Sequence, residues 1–134
     1  MANALYPLWK EQLLQFTANN NLSAGTVKVA LIDTGTYTYS SAHQFWTSAS
    51  GSSIGTPQTI GSKTFTNGTF DGGDVTFTAV TGNSVEALII WIDTGTAGTS
   101  PLVAYIDTSV TGLPVTPNGG DITITWNASG IFQL

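Results

Sequence analysis

Aspartate followed by threonine closes three apolar runs in this chain. Val27 to Ile32 leads into Asp33-Thr34-Gly35, Glu86 to Ile92 into Asp93-Thr94-Gly95, and Leu102 to Ile106 into Asp107-Thr108-Ser109. Asp-Thr-Gly behind apolar residues is how an aspartic protease holds two carboxylates over one shared proton, and Asp33 with Asp93 would be that dyad. Three features make this a remote alternative. The third copy has Ser109 in place of glycine, the two glycine copies lie too close in sequence to head separate lobes, and no apolar-apolar-Gly segment supports each loop. A simpler chemistry fits the same residues. An Asp side chain accepts a hydrogen bond from its own backbone two residues on, and Gly supplies a tight turn, so the phrase is a strand that stops itself.

The remaining chemically capable residues point the same way. Asp71 and Asp74 flank two glycines, but two ligands fall far short of a calcium site. Glycoside hydrolysis needs two carboxylates across a cleft, and no pair among the acidic residues is singled out. His43 stands alone, which makes no metal site, and beside Phe45 and Trp46 it is expected to be packed or interfacial. Ser50-Gly51-Ser52-Ser53-Ile54-Gly55 lacks the Gly-x-Ser-x-Gly spacing of a nucleophile elbow. Asn21, Asn67 and Asn127 each begin a glycosylation-type triplet, as expected by chance in a chain so rich in Asn, Ser and Thr. Trp91 and Trp126 lie inside strands and are expected in the core. Trp46, in a loop, is the best exposed anchor for a protein or a sugar. No catalytic residue, metal ligand or cofactor site emerges, and the chain is not expected to be an enzyme.

Composition narrows the partners. Of 134 residues 41% are hydrophobic but only 8% charged, where about 25% is ordinary. Net charge is −5 with three basic residues, all lysine. Such a chain cannot present the basic stripe that nucleic acid or an anionic membrane requires. There is no cysteine, hence no disulfide frame and no thiolate site. The first residues lack the charged and apolar regions of a secretory leader, and the longest apolar run is too short to span a bilayer.

The elements that must position these residues are mostly strands. Leu5 to Thr17 predicts one helix, with Pro7 in its first turn and an apolar face of Leu5, Trp9, Leu13 and Phe16 covering an open end of a sheet. Tyr37 to Tyr39 predicts a short strand, and Ala49 to Pro57 a Ser/Gly-rich loop. Asn67-Gly68 predicts a hairpin turn, and the Gly95 to Pro101 segment a hairpin joining the second and third Asp-Thr strands. Val75 to Val80 and Asp121 to Trp126 alternate cleanly, and Ile131 to Leu134 ends the chain as a strand. About eight short strands with turns between them predict a mainly β protein, an antiparallel β-sandwich or jelly roll with one short N-terminal helix. It is expected to form one domain over residues 1–134, with residues 1–20 as helix and arm.

Nearly the whole chain resembles a family of small virion proteins of tailed bacteriophages. The likeness runs through Met1-Ala2-Asn3-Ala4-Leu5-Tyr6, Val27 to Tyr39 with His43-Gln44-Phe45, Phe70-Asp71, Asp74 to Val80, and Glu86 to Ile90. It is strongest from Leu102 to Thr108 and through Leu113-Pro114-Val115-Thr116-Pro117-Asn118-Gly119-Gly120-Asp121 to Trp126, and weakest from Thr47 to Gly61. The resemblance implies a structural protein on the capsid surface, made in the host bacterial cytoplasm, that decorates or cements the shell. It carries no catalytic residues. Its partners would be the major capsid protein and copies of itself, as a homo-dimer or homo-trimer. Contact is expected through Leu5 and Trp9, Phe45 and Trp46, and Leu113, Pro114 and Pro117. A tail, neck or baseplate structural or carbohydrate-binding module is the alternative.

Overall fold

The computed structural model describes residues 3–134, so Met1 and Ala2 of the expected arm lie outside it. Five antiparallel strands form the main sheet: β1 (Ala4–Leu5), β2 (Thr26–Ile32), β3 (Ser53–Thr59), β7 (Ala87–Asp93) and β8 (Leu102–Ile106), in the order β1-β8-β7-β2-β3. A three-stranded sheet takes β4 (Thr64–Thr66), β5 (Thr69–Asp71) and β10 (Phe132–Gln133), ordered β10-β5-β4. A two-stranded one pairs β6 (Val75–Phe77) with β9 (Ile122–Ile124). The protein is thus mainly β, built of several antiparallel sheets with one short N-terminal helix, α1 (Pro7–Leu14).

The three Asp-Thr strands lie side by side at the centre of the large sheet. β2 pairs with β7 from Thr26↔Asp93 to Ile32↔Ala87, and β7 with β8 from Leu88↔Ile106 to Trp91↔Leu102. Successive strand residues point to opposite faces. Every residue of β8, and of β7 up to Ile92, is nevertheless buried, so both faces of these strands are covered. That is why they are continuous apolar runs, without the alternation seen in β6 and β9, where Thr76 and Thr123 are exposed between buried neighbours. Burial of each large aliphatic side chain contributes about 1.5–3 kcal/mol. The core joins them to Trp9, Phe70, Phe77, Ile124 and Trp126.

The helix is shorter than Leu5 to Thr17. Pro7 sets its start, and Leu5 belongs instead to β1, where it pairs with Ala104. The end is a Schellman closure: Thr17 N–H donates to Gln12 O at 3.0 Å and Phe16 N–H to Leu13 O at 3.1 Å. Phe16 takes the left-handed position of that motif at φ 55° and is thrown out to 98% exposure, off the expected apolar face.

Two other expectations change. The Ser/Gly-rich stretch is not all loop: after short 3-10 turns it becomes the edge strand β3, whose Gly55 to Pro57 bulge opposite Ala30. Gly55 sits there at φ 73°, and an edge bulge tolerates a proline that has no N–H to donate. Tyr37 to Tyr39 is irregular, because Asp33 O accepts both Thr36 N–H and Tyr37 N–H and curls the chain off the strand. Asn67 and Gly68, at φ 54° and 76°, make the expected hairpin turn between β4 and β5.

Candidate functional site

The Asp-Thr turns do structural chemistry. Asp33 Oδ1 accepts from Gly35 N–H and Asp93 Oδ1 from Gly95 N–H, both at 2.8 Å. Lys28 Nζ lies 3.1 Å from Asp93 Oδ2, and Asn83 Nδ2 donates to Asp33 Oδ2 at 3.0 Å. The third copy is capped from outside: Asn3 Oδ1 accepts from Asp107 and Thr108 N–H at 2.7 and 3.0 Å, and its amide donates back to Thr108 O. Asp33 and Asp93 stand at opposite ends of the antiparallel β2–β7 pair, with six strand residues between the positions they extend, about 20 Å apart. They cannot share a proton. Asp71 Oδ1 and Asp74 Oδ1 are likewise occupied, by the backbone N–H groups of Gly72 and Trp126.

The residues expected at a partner contact are spread over the molecule. Trp9 is 1% exposed and packs edge-on against Phe132, with ring centroids 5.9 Å apart. Trp46 lies flat on Trp91 at 3.7 Å, 8% exposed, which corrects its placing as an exposed anchor. Trp91 and Trp126 are in the core as expected. Phe45 is half-buried, bridges to Pro101, and shares a hollow of about 260 Å³ with Trp9 and Gln44. Leu5, Leu113 and Pro117 are half-buried, while Pro114 is exposed at the rim of a different groove.

Among the described residues, the exposed large apolar side chains are Leu14, Phe16, Phe65 and Leu134, at 88%, 98%, 45% and 66% exposure. Phe16, Phe65 and Leu134 come together with Leu13 and Leu22 around a second hollow of about 260 Å³, floored by Trp9 and Asn20. Trp9 Nε1 and Asn20 Oδ1 are buried there without a hydrogen-bond partner among the described residues. Beside the hollow, Lys63 Nζ donates to Leu22 O and Gly25 O at 2.7 and 2.8 Å. Its charge is thereby drawn into the chain, and the surface left behind is apolar and neutral. The sequence hides this site because Phe65 sits in ordinary Thr-Phe-Thr alternation and Phe16 in helical spacing.

A second cluster gathers all four tyrosines and the single histidine. Tyr6 and Tyr37 share a hydrogen bond of 2.6 Å between hydroxyls, and Tyr37 OH meets His43 Nδ1 at 2.9 Å. Burial, reinforced by Tyr37, raises the Tyr6 phenol far above its ordinary range, so it stays neutral. His43 is therefore a packing partner held through its ring nitrogen.

Scanned against models of known protein families, the chain matches none, and a search of curated proteins gives no match either.

Proposed function

We propose that this protein is a non-enzymatic structural component of a tailed-bacteriophage particle, one that decorates the capsid surface and cements neighbouring capsomers. The observation that carries the proposal is Phe16. A bulky aromatic in the left-handed conformation costs an isolated fold about 1–2 kcal/mol, and at 98% exposure it recovers nothing by burial. A residue that costs stability and contacts little of its own chain is explained by a contact with another. Its neighbours Phe65 and Leu134 extend the same apolar surface around the hollow.

The sequence resemblance supports the same reading, and so does a surface poor in charge, suited to apolar and hydrogen-bonded contacts. In this proposal the partners are the major capsid protein and further copies of the chain, as a dimer or trimer on a symmetry axis. The smaller sheets then act as the second layer of a sandwich or jelly roll, giving a rigid body between capsomers. The sugar-binding alternative loses the platform it rested on, because Trp46 is stacked on Trp91.

A cryo-electron microscopy map of the purified particle tests the proposal. Density over capsomer junctions, with the Phe16 surface against the shell, is the expected outcome. Density confined to tail or baseplate, or a particle without this chain, overturns it.

A further inference from the structure

The tyrosine cluster opens onto a groove of about 570 Å³, lined by Tyr37, Tyr39, Tyr105, Thr34, Glu86 and Pro114, with Asp107 and Thr108 at the end of β8. That size is within the range of ordinary ligand pockets, about 300–1,000 Å³. Its walls have a distinct chemistry. Tyr39 lies 5.1 Å from Tyr6 and 5.7 Å from Tyr105 between ring centroids, so aromatic surface dominates. Tyr105 is only 4% exposed and closes the inner wall of the groove behind Tyr39.

Glu86 supplies charge. Its Oε1 accepts from Thr34 N–H and Oγ1 at 3.0 and 2.8 Å, which fixes the carboxylate at the groove. Hydrogen bonding from Ser84 and Thr34 keeps it ionised well below neutral pH. No cation of the described chain faces it: Lys28 is paired with Asp93, Lys63 is bound to backbone carbonyls, and Lys10 sits on the helix. Anionic ligands are therefore excluded from the groove. Aromatic faces and an ionised carboxylate both favour a positive group, the first through the ring quadrupole and the second directly.

We propose that this groove receives an arginine or lysine side chain of a partner protein, stacked on Tyr39 and paired with Glu86. Charge complementarity selects that occupant, since the Glu86 carboxylate and the Tyr39 ring both line the groove and both favour a cation. The inference rests on the structural reading above for the identity of the partner, but the site is defined without it.

The test is an NMR titration of the whole protein with acetyl-Gly-Arg-Gly-amide, against the same peptide carrying neutral citrulline. Expected are saturable shifts confined to Thr34, Tyr39, Glu86 and Tyr105, with citrulline binding about tenfold more weakly. Glu86→Gln and Tyr39→Leu should each weaken arginine binding several-fold. Equal binding of the two peptides, shifts mapping elsewhere, or no response overturns the proposal. The wild-type comparison decides even if a variant fails to fold. Arginine binding by a protein absent from the particle would keep the groove and sink the capsid reading; a protein on the shell that ignores arginine would do the reverse.

Discussion

At the scale of single residues, Phe16 combines a left-handed backbone with 98% exposure. Replacing it by glycine relieves the left-handed strain, so Phe16→Gly should raise stability by about 1 kcal/mol, read as a shift of the urea midpoint. Phe16→Ala keeps the strain and should change stability little. Under the proposed capsid role, both should weaken attachment to the shell about tenfold or more. A stabilised variant that still decorates at wild-type occupancy would show that Phe16 makes no contact. Glu86 and Asp93 set the acid limit. Hydrogen bonding from Ser84 and Thr34 lowers the Glu86 pKa; the Gly95 N–H, then Lys28, lowers that of Asp93. A carboxylate with a lowered folded pKa contributes stability that is present above its unfolded value, near 4, and lost as pH falls through the folded one. The urea midpoint should thus hold from pH 7 to about 5 and fall below about 4. Glu86→Gln with Asp93→Asn should flatten that fall while lowering the plateau only modestly, because both groups are partly exposed.

Among elements, the 3-10 turn at Trp46–Ser48 is joined to β7 by two stacked indole rings. Trp46 lies parallel to Trp91 within 4°. Trp46→Ala would leave a cavity against the central sheet and should cost about 3–5 kcal/mol in a denaturant titration. A loss below about 1 kcal/mol would mean that the loop is not held by the stack. Lys63 links the segment before β4 to the turn before β2 through carbonyls of Leu22 and Gly25. Lys63→Met keeps the stem but orphans those oxygens, and a loss of about 1–3 kcal/mol is expected.

For the whole molecule, apolar contact and a low charge density set the salt response. Screening weakens exposed charge pairs and leaves buried apolar contact intact. Under the proposed capsid role, attachment through the Phe16 surface should therefore fall less than about tenfold between roughly 50 and 500 mM salt. The part that does fall should vanish in Glu86→Gln if the groove holds a basic side chain. A steep salt dependence that survives Glu86→Gln would place the main contact elsewhere.

Local chemistry was enough for much of this architecture. Continuous apolar runs marked β2, β7 and β8 as strands, the Asp-Thr-Gly endings of β2 and β7 marked their turns, and Asn67-Gly68 marked a hairpin, because each signal acts within a few residues. Composition alone set the charge, three basic residues against eight acidic ones. What depended on partners distant in the chain was decided only by the tertiary structure. Antiparallel pairing sent Asp33 and Asp93 to opposite ends of one sheet, whereas repetition had made them look like a pair. Stacking on Trp91 took Trp46 out of solvent, and the Schellman turn put Phe16 into it. Whether an aromatic side chain is core or contact depends on what lies across from it, and spacing along the chain carries no record of that.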